Sequence, residues 1–165
     1  MAVDTSLIGK PTGNSKVVME RGPLSNFATA IGNSNPIYHD PGAAKSAGFA
    51  NIPASPTWGF AMENWGKFRE IQPTDDPTGG QNVIMQAIGS LMAKGGLILH
   101  GEQEFEYHRP VVVGDVLVGE GKVADIYEKE SNGRTMTFLV TETVWRDEKS
   151  GEPALTARMN LIHRS

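Results

Sequence analysis

Apolar positions follow two different rhythms along this chain. Through the first half they recur at helical spacing in short runs broken by Pro and Gly, and from Leu97 onward they alternate with polar residues as in strands. Lys16 to Glu20, carrying Val17, Val18 and Met19, predicts a short strand. Ser25 is placed to cap a helix running through Ile31. Asp40 followed by Pro41 starts a second helix to Ala47, and Gly48 stops it. Ser55 and Pro56 open a third, expected to be the longest, with an apolar stripe at Trp58, Phe60, Ala61, Met62, Trp65 and Phe68. Gln72 to Gln81 is a loop rich in Pro, Asp and Gly, and Asn82 to Ala93 reads as an amphipathic helix or a covering segment.

The second half predicts strands at Leu97 to His108, Asp115 to Tyr127, Thr135 to Arg146 and Ala154 to Arg164. Ser131-Asn132-Gly133 is a strong hairpin signal, because Asn-Gly tolerates the positive φ angles of a type I′ turn. Asp147 to Pro153 is a second turn. Strands joined by such short turns must pair antiparallel. Helices first and antiparallel strands afterwards define an α+β layout, with a helix against one face of a curled sheet. No internal repeat is visible. The expected organisation is a loose arm over residues 1–15 and a single domain over 16–165.

Composition narrows the possible chemistry. The chain has 165 residues and no cysteine, which excludes disulfides, thiolate metal sites and cysteine nucleophiles. Its formal charge is -4 with no basic stripe, which argues against a nucleic-acid partner. No run approaches the roughly 18 apolar residues of a membrane span, and the N-terminus does not read as a signal peptide. A soluble, cytoplasmic protein is expected.

The candidate chemistry lies between the first two helices. Asn33, Asn35, Tyr38, His39 and Asp40 fall within eight residues. Such groups are either satisfied by local backbone or aimed at a ligand. The frame is Phe27-Ala28, then Gly32-Asn33-Ser34-Asn35-Pro36-Ile37-Tyr38-His39-Asp40, then Ala43-Ala44. It resembles the signature of the MaoC-like hydratase and dehydratase family, in which Phe-Ala precedes Gly-Asp-x-Asn-Pro-x-His-x-Asp. A second segment, His100 to Pro110 followed by Gly114-Asp115, resembles the strand-turn signature of the same family. The likeness is greatest to the branch whose domains are the N-terminal or partner halves of two-hot-dog dehydratases, and it covers roughly four fifths of the chain. It implies a single hot-dog domain, a central helix wrapped by a curled antiparallel sheet. It also implies a lyase acting on acyl thioesters of coenzyme A or acyl-carrier protein in fatty acid metabolism, with no cofactor, as a homodimer or as a heterodimer with another hot dog.

The resemblance places the family Asp on Asn33 and the family His on Tyr38. Hydrating an enoyl thioester needs a base for water, an acid for the alpha carbon, and donors for the thioester oxygen. Asn33 cannot serve as a base, though it can orient a water. Tyr38, with an ordinary pKa of about 10, is a donor at neutral pH. His39 titrates near neutrality but sits one residue past the family position. It is either a displaced base or a surface histidine. Asn35 is expected to fix the turn or to touch substrate, and Asp40 to cap a helix. For the thioester oxygen, Pro56 offers no amide, so the expected donors are the amides of Ser55, Thr57 and Trp58.

Two further features call for a reading. His100, Glu102, Glu104, Glu106 and His108 would share one sheet face. Paired surface charges with Arg109 as partner are the plainer account, and no metal is expected. The Met-rich segment from Ile71 to Lys94 is suited to lining an acyl tunnel. Three functions follow: a hydratase or dehydratase subunit whose partner supplies the catalytic pair, a stand-alone hydratase using His39, and a non-catalytic acyl-thioester binding or scaffold protein.

Overall fold

The structure is a computed structural model and describes residues 4–164, the side chain of Ser131 excepted. Five antiparallel strands form one open sheet in the order β1-β3-β4-β5-β2: β1 Pro11–Val18, β2 Leu97–Tyr107, β3 Val116–Ser131, β4 Arg134–Asp147 and β5 Pro153–Arg164. Four helices accompany it: α1 Arg21–Ala30, α2 Pro41–Ser46, α3 Trp58–Trp65 and α4 Val83–Met92. The layout is the expected α+β hot dog, with α3 as the central helix. Asn132 and Gly133 join β3 to β4 with φ of 52° and 71°, as a type I′ turn requires. The strand β2 does not pair with its sequence neighbour β3 but crosses to β5, which leaves β1 and β2 as the sheet's edges.

Alternation along the strands sends one set of side chains toward the helices, and these meet in two separate clusters. Under α3, Trp58 and Met62 pack with Val17, Leu117, Trp145 and Leu155. Under α4, Val83 and Ala87 pack with Leu7, Val123, Ile126 and Leu139. The side chains of α4 that go inward, Val83, Ala87 and Leu91, are spaced four apart, so one helical stripe is buried.

Several boundaries differ from the expected ones for identifiable reasons. The strand β1 begins at Pro11 opposite Lys122, so Pro11 to Ser15 belong to the sheet rather than to a loose arm. Leu7 is buried as well, and residues 1–3 of that arm lie outside the described residues. The first helix starts at Arg21, with Pro23 in its first turn, where a missing amide hydrogen costs nothing. Ser25 is therefore inside α1 and not its cap. Its hydroxyl donates to the Tyr38 carbonyl at 2.9 Å.

The central helix is two turns long, shorter than α1 and α4. Its cap is Thr57, not Ser55. The strand β1 ends it, because the Val18 amide donates to the Gly66 carbonyl at 2.9 Å just past the last turn. By contrast, Asp40 caps α2 as expected, and Asn82 caps α4, each accepting an amide hydrogen three residues on.

The segment leading into α3 is strapped down. Pro53 bridges Val112, the Ala54 amide donates to the Val111 carbonyl, and the Val113 amide donates to the Ile52 carbonyl. The 110–115 turn is held in turn by Arg109. Its guanidinium reaches Asp115 at 2.6 Å and Asp147 at 3.0 Å. Asp147 lies below its ordinary pKa, first through the Ser150 amide and in smaller part through Arg109.

Arg109 was expected to pair with the glutamates of β2, and it does not. A bulge at Gly101 puts His100 and Glu102 on opposite sheet faces. His100 stacks against Phe60 of α3, at 5.2 Å between rings, while Glu104 and Glu106 meet Arg158 on the outer face. Glu142 joins them through the Arg158 Nε at 2.7 Å.

The close approach of α3 to β1 depends on Gly66. A Cβ there would meet the Val18 carbonyl oxygen at 2.5 Å, which is backbone and cannot swing aside. Gly66→Ala is expected to destabilise the fold by roughly 1–3 kcal/mol through overpacking. Gly22→Ala, where a Cβ meets nothing within 4 Å, serves as the control. Equal chemical-denaturation midpoints for the two variants would refute this account.

Candidate functional site

The polar turn between α1 and α2 is built from its own side chains. Gly32 ends α1 at φ 75°, a left-handed conformation suited to glycine. The Asn33 amide donates to the Ala28 carbonyl, and the Asn33 Oδ1 accepts from the Asn35 amide at 3.1 Å. Asn35 Oδ1 accepts from the Ile37 amide at 3.2 Å and caps a 3₁₀ turn over Pro36–Tyr38. His39 Nε2 lies 2.9 Å from the Asn33 carbonyl oxygen. A carbonyl only accepts, so that nitrogen carries the proton and the ring is pinned across the turn. Arg21 donates to the His39 carbonyl and closes the other side. Asn33, Asn35, His39 and Asp40 thus spend their side chains on the turn, while the half-buried Tyr38 side chain takes no part in closing it.

At the start of α3, Trp58 is taken into the core. Its indole is 1% exposed, packs edge-on against Phe27 and directs its N–H at the Met19 sulfur, 3.2 Å away. Its backbone amide, expected to be free, donates to the Ser55 carbonyl at 2.9 Å. The amides of Ser55 and Thr57 donate to no group among the described residues. The Ser55 hydroxyl is buried and also has no partner among them.

One residue at this helix start was not singled out from sequence. The Tyr107 hydroxyl donates to the Pro56 carbonyl at 2.9 Å. Burial of the phenol pushes its pKa up to about 12, the Gly59 amide pulls it back, and the neighbouring Tyr38 raises it further. The phenols of Tyr38 and Tyr107 therefore share the mouth of α3. The signal for Tyr107 lay in the phase of β2: Gln103, Phe105 and Tyr107 alternate onto the helix-facing side, opposite the three glutamates. Gly59 lets this contact form, since a Cβ there would meet Phe105 at 2.8 Å and Leu155 at 2.9 Å.

Beyond Gly59, a cavity of about 400 Å³ opens between α3 and the sheet, lined by Phe60, Gln103, Ser15, Thr141, Thr143 and Met159 among others. The Met-rich segment contributes only Ile84 to it. No group of three His, Asp or Glu side chains suited to a metal occurs among the described residues.

A curled five-stranded antiparallel sheet with α3 against its concave face, and a capped Asn-Pro turn at the helix start, are the marks of a hot-dog hydratase or dehydratase domain. The chain belongs to the MaoC-like hydratase and dehydratase family: residues 6–157 match the model of the FAS1-like dehydratase domain region. It is 32% identical to a UPF0336 protein of Streptomyces avermitilis, over all of this chain and 97% of that one. It is 28% identical to a probable enoyl-CoA hydratase alpha subunit of Thermomonospora curvata, over 84% of this chain and 43% of that one. Among solved structures, the ChsH1-ChsH2 complex from Mycobacterium tuberculosis superposes with a TM-score of 0.70 at 24% identity, covering 93% of this chain and 83% of the matched chain. The HadBC (3R-hydroxyacyl-ACP dehydratase) complex of the same organism gives 0.67 at 18% identity, covering 96% and 98%.

The Tyr107 contact has a pH signature. Below about pH 10 the phenol is neutral both folded and unfolded. As pH rises from there toward 12, the unfolded chain loses its proton first, so folding stability falls across that window. The residue is 36% exposed, so the effect is modest. Tyr107→Phe should flatten this part of the stability-pH curve relative to wild type and remove a phenolate absorbance step near 12. An unchanged slope in the variant would refute the assignment.

Proposed function

We propose that this chain is one subunit of a two-hot-dog enzyme that hydrates enoyl thioesters, or dehydrates 3-hydroxyacyl thioesters, of coenzyme A or acyl-carrier protein. In this reading it works in the cytoplasm in fatty acid metabolism and needs no cofactor. The catalytic Asp and His come from the partner hot dog, and this chain shapes the acyl pocket. The observation that carries the proposal is the state of the dyad positions. Asn33 and Tyr38 occupy them in an intact turn, neither is a base at neutral pH, and His39 has committed Nε2 to the Asn33 carbonyl. The cavity beside the short α3 supports the acyl role. The thioester oxygen is assigned to the free amides of Ser55 and Thr57 at the helix start, with the Tyr107 phenol as a neutral donor nearby.

A partner is favoured by what the surface leaves open. The strand β2 is a sheet edge with exposed Leu97 and Leu99, and α3 presents Phe60 and Trp65, the latter 58% exposed. Edges of this kind are covered in stable proteins, and a second hot dog joined at the β2 edge would cover Leu97, Leu99 and Phe60, whose ring lies against His100 of β2. The deciding assay uses crotonyl and longer enoyl thioesters with this chain alone and with a co-expressed hot-dog partner that carries an intact Asp and His. Turnover is expected only for the pair. Full turnover by this chain alone would overturn the assignment.

The dyad itself is open to reconstruction. Asn33→Asp keeps an acceptor for the Asn35 amide, and with Tyr38→His it restores the family pair at its usual spacing. The double variant is expected to gain hydratase activity of its own. His39→Ala is expected to leave the activity of the complex within a few-fold while slightly loosening the turn. A loss of roughly 10²- to 10⁴-fold on His39→Ala, with folding and association intact, would instead make His39 the base.

A further inference from the structure

The two edges of the sheet are finished differently. In β1 the peptide groups of alternate residues face β3, and those of Asn14, Lys16 and Val18 face outward. The Val18 amide is taken by the Gly66 carbonyl. Lys16 is taken by a single side chain, that of Gln72. Its Oε1 accepts from the Lys16 amide at 3.0 Å, and its Nε2 donates to the Lys16 carbonyl at 2.9 Å. Nε2 also donates to the Phe68 carbonyl at 2.8 Å, which ties the amide to the 3₁₀ turn Arg69–Ile71 just before it. All three bonds require the same orientation of the amide. Gln72 thus exchanges a donor and an acceptor with one residue of β1, as a residue of a neighbouring antiparallel strand does. Asn14 faces a cleft of about 350 Å³ walled by the 73–82 loop, so a second strand meets that loop before it reaches β1. Pro11 and an irregular register between Pro11 and Gly13 spoil the rest of the edge for pairing.

The strand β2 has no such plug. Among the described residues, no side chain or loop bonds to its outward peptide groups. Beyond the bulge at Gly101, Glu102 to Tyr107 run in unbroken register with β5 and form a regular open edge. We infer that Gln72 closes the β1 edge and so directs association to β2 alone, ending the assembly at two domains. The inference rests on the two-hot-dog reading above for what joins β2, and adds where growth stops. A domain with two open edges carries two joining surfaces, and edge-to-edge pairing then has no natural end. A domain with one open edge forms a pair and nothing larger.

The test is analytical ultracentrifugation of the full-length chain over a wide concentration range, as wild type, Gln72→Leu and Gln72→Ala, with circular dichroism to confirm folding. Wild type is expected to form nothing larger than a dimer. Gln72→Leu fills the same space but frees both Lys16 groups, so its weight-average mass should rise roughly twofold or more above wild type, reversibly on dilution. Gln72→Ala should do the same, which separates an opened edge from added apolar surface, and it carries the test if Gln72→Leu does not fold. Adding Lys16→Pro to Gln72→Ala removes the outward amide hydrogen and should restore the wild-type mass. Folded Gln72 variants that keep the wild-type mass would overturn the inference. So would wild-type assemblies larger than a dimer, or growth that survives Lys16→Pro. The two-hot-dog reading fails on a separate result: this chain remaining alone when co-expressed with a catalytic hot-dog partner, whatever the Gln72 variants do.

Discussion

A helix of two turns cannot cover the concave face of a five-stranded sheet. The helix α3 is roughly 12 Å long by its rise, while four strand spacings span about 19 Å and the long strands run much farther. The rest of the fold arranges itself around that mismatch. Trp58 and Met62 anchor α3 over one end of the sheet, and α4 seals the other with a separate cluster. What lies between is mostly polar: Ser15, Thr141, Thr143 and Gln103, with Gly119 and Met159 beside them. The Gly66 contact with β1 sets this mismatch, because the strand takes the carbonyl just beyond the last turn.

Position at the helix start is maintained by a chain of contacts far from the turn itself. Arg109 ties the 110–115 turn to Asp147, that turn bridges Pro53 and Ile52, and these feed directly into Ser55 and α3. The polar turn of α1 and α2 is closed independently, by Asn33, Asn35 and His39. Two rigid pieces thus meet at the phenols of Tyr38 and Tyr107. Rigid placement of donors is what an electrostatic site requires, because no reorganisation remains to be done when charge develops.

Much of the architecture was legible because its signals are local. Asp40 with Pro41, Asn82, and Asn132-Gly133 each specify their structure within four residues. The misreadings share a different cause. The true start of β1 at Pro11 depends on β3, more than a hundred residues away. The end of α3 depends on β1. The bulge at Gly101 that separates His100 from Glu102 depends on pairing with β5, and that strand, not the adjacent Arg109, supplies Arg158 as the partner of Glu104 and Glu106. Ser25 resembled a cap, yet Pro23 had already marked the first turn. At the site, the family frame located the turn correctly, but Tyr107 enters it from the far side of the sheet, and only strand phase distinguishes it from the exposed glutamates beside it.

The crossover of β2 to β5 bears on how the chain is made. On a ribosome, β2 emerges about 50 to 70 residues before the strand that will pair with it. At typical elongation rates that interval is on the order of several seconds, long compared with hairpin closure. During it the segment Leu97–Tyr107 is a nascent strand with no neighbour. Glu102, Glu104 and Glu106 give one of its faces a row of like charges, so two nascent copies in register would repel each other. The same glutamates find Arg158 and Asn160 only when the final strand arrives. Their charge is a hazard to wrong pairing early in synthesis and a contact for right pairing at its end.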